Sequence, residues 1–207
     1  MKLKQILEGD WESTVFHVNN EIWDARNRNP KKFRIRAINK MTKAFNAGFK
    51  IKAYHGTVSD FKTFTKGDLG YHFGSADQAW YRIVDKGGRD MARIMPVLLR
   101  IKKAAYTTDA GDWTNPRDVI HAITLPDVIK KFPKEMKEEL EKVREEIHQK
   151  TIMSEKACKD YIERIAIIFL DYGYNAIVYP NTGEGTGEKP SYLMFNSRDI
   201  VGLYDNF

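Results

Sequence analysis

One cysteine, Cys158, is all that the 207 residues contain, so no internal disulfide and no cysteine-based zinc site can form. It falls within an apolar helical stripe, which reads as packing rather than as a nucleophile. No apolar run approaches the roughly 18–20 residues that cross a bilayer. The longest, Ile165 to Leu170, directly follows Glu163 and Arg164. The N-terminal MKLKQILEGDWE turns acidic before an apolar signal region can form, so a cytoplasmic setting is expected. GxxxxGKS/T and HExxH do not occur, and GEGTGE has Glu188 where the last glycine of GxGxxG would stand. Walker-type, zincin and Rossmann chemistry are therefore unsupported.

Acid is scarce in one place. Ala25 to Ala53 holds ten basic residues and no Asp or Glu, so Met1 to Ala53 carries 12 basic against 5 acidic residues. The chain as a whole has 34 Lys plus Arg against 28 Asp plus Glu, a formal charge of +6, so the positive excess is entirely N-terminal. Such a block reads either as a handle for nucleic acid or an acidic protein, or as a solvated helix face. Ala37, Met41, Ala44, Phe45 and Phe49 recur at helical spacing, with Arg36, Lys40 and Lys43 outward. Trp11, Phe16, Trp23 and Phe33 read as core aromatics or as base-stacking groups. Residues 1–53 thus form a basic helical extension.

What is present in quantity is apolar: 42% hydrophobic and 12% aromatic residues suffice for a core and exclude a disordered chain. From Tyr54 the texture becomes short apolar runs between glycine-rich turns. Strands are expected at Lys52 to Tyr54, Gly70 to Phe73, Pro96 to Ile101, Ala176 to Tyr179 and Ser191 to Phe195. One helix carries the stripe Met136, Leu140, Val143, Ile147 and should lie on the surface. A second starts at the N-cap Ser154, buries Ala157, Cys158, Tyr161, Ile162, Ile165 and Ala166, and stops at Gly173. Strands and helices without βαβ regularity give the α+β class. Asp109 and Asp112 read as turn caps or as cation ligands.

Three stretches suggest chemistry: Tyr54-His55-Gly56-Thr57; then Gly70-Tyr71-His72-Phe73-Gly74-Ser75 with Ala79-Trp80-Tyr81; and Tyr179 to Phe195, which includes the ten-residue loop Asn181 to Pro190. In order and spacing they resemble the ADP-ribosyltransferase superfamily, in its His-Tyr-Glu branch with diphtheria toxin and the poly(ADP-ribose) polymerases, and most closely its compact phage-encoded members. The resemblance covers about Ala53 to Asn206. It implies a split mixed β-sheet core over 54–207, interrupted by a helical insertion at about 124–150.

The resemblance further implies NAD as co-substrate. The Gly56 backbone would clamp the nicotinamide amide, His55 would hold a ribose hydroxyl, and Tyr54, Thr57, Phe73 and Tyr192 would line the site. His72 stands where the branch usually has Tyr, so stacking on nicotinamide passes to Tyr81 or Trp80, and a His72 that lines the site should be neutral. The branch's catalytic Glu maps onto Ser191, which carries no charge. Glu184, with Glu188 second, is therefore expected to supply the carboxylate that an oxocarbenium-like transition state needs. No metal is implied. The expected activity is mono-ADP-ribosyl transfer to a protein or nucleic acid, with the loop Asn181 to Pro190 and residues 26–52 helping to select the acceptor; a phage effector acting on host machinery fits. An inactive nucleic-acid-binding scaffold and an NAD glycohydrolase toxin are the alternatives. Oligomeric state is not legible.

Overall fold

The computed structural model describes residues 29–58, 68–85, 93–181 and 189–202. Trp11, Phe16 and Trp23 lie outside them, as do Glu184 and Glu188. Helix α1, Pro30–Asn46, opens with the Asn29 side chain accepting from Lys32 N and with proline at its first position. It closes at Gly48, whose φ of +93° suits glycine. Met41 and Ala44 are buried, together with Phe49 just beyond the helix.

Strand β1, Ile51–Thr57, pairs antiparallel with β3, Arg93–Leu99, which pairs antiparallel with β7, Ile200–Gly202. A second sheet runs β2 (Tyr71–Phe73), β6 (Pro190–Met194), β5 (Ala176–Pro180) and β4 (Ala104–Tyr106), with only β4 and β5 parallel. Among the described residues the two sheets meet at one bridge: Tyr54 and Gly74 exchange both backbone hydrogen bonds at 2.9 Å. Tyr54 thus turns its backbone groups away from β3, so Pro96 opposite it costs that ladder no hydrogen bond.

Helix α2, Ala76–Asp85, covers β1. Helices α3 (Pro116–Thr124), α4 (Pro126–Ile129), α5 (Lys134–His148) and α6 (Glu155–Asp171) complete the six described. The chain is an α+β protein. Its largest core joins α3, α5 and α6 to Leu193, Ile177 and Tyr179 of the second sheet. A smaller core of Ala53, Phe73, Val97, Leu99, Ala176, Met194 and Ile200 lies between the sheets.

All five expected strands are present, with shifted bounds: β1 runs on to Thr57 and β3 starts three residues earlier than Pro96. β1 begins at Ile51, so its first three residues come from the basic extension. β4 and β7, at three residues each, are too short for a periodic signal, whereas helix α3, not among the expected elements, has Val119, Ile120 and Ile123 on one buried stripe behind the cap Asn115 and Pro116. α5 was expected on the surface, and its charged face is there. The stripe Met136, Leu140, Val143 and Ile147 is nevertheless wholly buried, because α3 and α6 close over it. Ser154 caps α6 as expected, its side chain accepting from Ala157 N. Ile162, Ile165 and Ala166 are buried, whereas Ala157, Cys158 and Tyr161, in the first turns, are half-buried. Among the described residues no helix is long and apolar enough to cross a membrane.

At one end the sheets are clamped by Asn175. Its Oδ1 accepts from Lys102 N and Lys103 N, and its Nδ2 donates to Arg100 O and Asp199 Oδ2. Arg100 Nε donates to the other oxygen of Asp199 at 2.9 Å. The opposite end has no such clamp among the described residues, and there β1 and β2 part.

Candidate functional site

Strand alternation decides what faces the space between the sheets. Ala53 belongs to the inter-sheet core, so His55, two residues on, faces the same way. Its Nδ1 lies 2.9 Å from His72 O and its ring 5.7 Å from that of Phe73. A carbonyl only accepts, so Nδ1 carries the proton and Nε2 of the neutral ring is an acceptor. The same alternation sends the N–H and C=O of Gly56 to the side on which Tyr54 bonds Gly74, into the gap where β1 and β2 diverge.

Gly56 is also fixed by packing. A Cβ there would lie 2.0 Å from Ala79 O and 2.8 Å from Ala79 C, so only glycine lets α2 lie on β1. Tyr54 points to that helix, packing beside Ala79, Ile83 and Ile94. Thr57, at the end of β1, shares the His55 face.

Across the gap, Tyr106 pairs with Val178, Val178 with Tyr192, and Tyr192 with Phe73. The result is one cross-strand row that ends against His55. Phe73 is buried, Tyr192 half-buried and Tyr106 61% exposed. Burial, and then the neighbouring Tyr106 phenol, push the Tyr192 hydroxyl above its ordinary value. Tyr106 carries no motif, and its contribution could not be read from sequence.

His72 and Ser191 face the other way, toward the helices. Ser191 is buried opposite Tyr179. His72 Nδ1 is 3.0 Å from the Tyr179 hydroxyl. Its buried Nε2 lies 3.2 Å from Asp68 Oδ1 without hydrogen-bond alignment. Trp113 packs on both rings, 5.6 Å from His72 and 4.7 Å from Tyr179. Burial pushes the Asp68 carboxyl up, but His72, the Gly70 N–H and Arg82 outweigh it and hold the group below its ordinary value. Tyr81 is 53% exposed and Trp80 38% exposed on the outer face of α2.

Gln78 is a residue that sequence reading missed, although Ser75-x-x-Gln78 is a legible capping box. Ser75 N donates to Gln78 Oε1 at 2.7 Å and Gln78 N donates to Ser75 Oγ at 3.2 Å. Gln78 Nε2 donates to Lys189 O, tying the start of α2 to the start of β6. Asp109 and Asp112 are turn caps. The first accepts from Gly111 N and Trp113 Nε1, the second from Thr114 N and Oγ1. Among the described residues no group of three or more His, Cys, Asp or Glu could hold a metal ion. A cavity of about 830 Å³, lined by Asp68, Asn115, Arg117 and Cys158 among others, includes none of the expected site residues.

The described part of the site is therefore the His55 ring, the Gly56 backbone and the Phe73–Tyr192 row, with Thr57 at its edge. His72, Ser191, Tyr54 and Tyr81 are directed elsewhere. No family model, curated protein or solved structure matches the chain.

Proposed function

We propose that the chain is a NAD-dependent mono-ADP-ribosyltransferase with an ADP-ribosyltransferase-like split-sheet core, acting in a cytoplasm. The observation that carries this reading is the pairing of an outward-turned Gly56 backbone with a tautomer-fixed His55 where two sheets part. A strand residue that offers one donor and one acceptor side by side, unhindered by a side chain, suits a primary carboxamide, which offers the complementary pair. Nicotinamide carries such a group. An Nε2 acceptor beside it suits a ribose hydroxyl, and the Phe73–Tyr192 row supplies an apolar wall for the ring.

The chemistry breaks the bond between C1′ of the ribose and the nicotinamide nitrogen. Nicotinamide leaves with the bonding pair, and positive charge develops on the ribose, as in glycoside hydrolysis. A nucleophile on the acceptor attacks C1′ from the opposite face, inverting it and losing a proton. Glu184, or Glu188, is the proposed carboxylate that stabilises that charge. With Ser191 in place of a strand carboxylate, a single transfer is favoured over chain elongation.

One observation favours the scaffold reading instead: Ser191 is uncharged and buried on the face turned away from His55. Titrating nicotinamide into 15N-labelled protein separates the two. Saturable movement of the Gly56 amide resonance is expected, and a Gly56 resonance that stays fixed at millimolar nicotinamide overturns the transferase reading.

A further inference from the structure

We propose that the acceptor, or the molecule carrying it, is a single-stranded nucleic acid that lies along a basic strip ending at Tyr106. The proposal rests on the transferase reading and names its partner. The strip starts on α1, which has no acidic residue. Lys31, Lys32, Arg36 and Lys43 are exposed there, and none of them is paired with a carboxylate among the described residues.

From the end of α1 the strip continues by contact. The Arg100 side chain lies beside Gly48, and its guanidinium sits 4.7 Å from the Phe49 ring centroid. Arg100 is ion-paired with the buried Asp199, so it joins the strip through its ring-stacked guanidinium face and not as an uncompensated charge. Arg198, Lys102 and Lys103 are exposed around this point. Lys103 turns back to Tyr172 O and the Tyr174 ring, and on that side the strip is bounded by the carboxylates Glu139, Glu135 and Asp171 around Tyr172.

Three residues beyond Lys103, Tyr106 stands on the edge strand β4 with 61% of its surface open. It is the exposed end of the row that runs through Val178 and Tyr192 to Phe73 and His55. Cations that follow a phosphate backbone toward an open aromatic ring are the two elements that bind single strands. An acidic protein would use the charge but not the ring. A duplex would hold its bases away from the ring. A base stacked on Tyr106 would be delivered to the mouth of the space between the sheets.

The test is fluorescence anisotropy with a labelled 20-nucleotide single-stranded RNA of mixed sequence, in the full chain and without NAD. It therefore stands or falls separately from the transferase reading. Binding should weaken steeply with salt, and Gln at Lys31, Lys32 and Arg36 together should reduce the log–log slope by about 2, at ~0.7 per phosphate contact. Tyr106→Ala should weaken binding by about fivefold or more with the slope kept, and Tyr106→Phe should restore it. Circular dichroism melts confirm that each variant is folded. Three outcomes overturn the proposal: no binding at low salt, a Tyr106→Ala variant that binds as wild type, or poly-glutamate competing as well as unlabelled RNA.

Discussion

His55 Nδ1 donates to His72 O at 2.9 Å, so the one ring that faces the inter-sheet space from β1 is held by the backbone of the opposite sheet. That bond lies one residue beyond the Tyr54–Gly74 bridge, where regular pairing between β1 and β2 has already stopped. The imidazole thus fixes the width of the gap as well as its own orientation. His55→Ala should lose this bond and the Phe73 contact. A destabilisation of about 1–2 kcal/mol in urea titrations is expected, with the m-value kept.

Gly56 is more demanding. Gly56→Ala places a methyl within 2.0 Å of the Ala79 carbonyl oxygen, and helix backbone cannot yield as a side chain can. Overpacking of this kind costs about 1–3 kcal/mol, and the upper end is expected here. Hydrogen exchange should report the loss in α2 before the α5 and α6 amides respond.

The Asp68 carboxyl is held below its ordinary value, chiefly by His72 once burial is overcome. A depressed folded value means that its stabilisation is complete above the unfolded value of about 4 and is lost as pH falls through the lower folded one. Thermal melts of wild type and Asp68→Asn should therefore differ at neutral pH and converge toward pH 2. Curves that run parallel across that range would refute the pairing.

Asn175 joins four partners across both sheets and is 8% exposed. Asn175→Ala removes the partner of Asp199 Oδ2, whose other oxygen keeps Arg100, and of the Arg100, Lys102 and Lys103 backbone groups. Only the contact to Asp199 is buried throughout, so a loss of about 1–3 kcal/mol is expected by chemical denaturation, with the half-buried backbone groups reached by water.

The sequence announced elements that combine length with periodicity. The Met136–Ile147 stripe and the Ser154 cap located α5 and α6 because each repeats a signal over several turns. β4 and β7 span three residues each, too few for alternation to register, and their pairing depends on partners distant in the chain. The placement of His55 and Gly56 was legible because strand alternation from Ala53, which lies in the core between the sheets, fixes which way each of them turns. The direction of His72 was not legible, since its face is set by the register of β2 on β6, and one residue of register reverses every side chain. Asp68 lies four residues before it, but Tyr179 and Trp113 reach it from two distant segments, and no local pattern links those two to it.

The most direct test of the account follows nicotinamide released from ring-labelled NAD by the purified chain, with cell lysate as a source of acceptor, for wild type, His55→Ala and Glu184→Gln. The account predicts release by wild type, loss of at least about 100-fold in both variants, as for removal of a transition-state-stabilising group, and adenylate label retained on a macromolecule in a parallel reaction. Wild-type protein that releases no nicotinamide under any of these conditions, while still folded by circular dichroism, would contradict it.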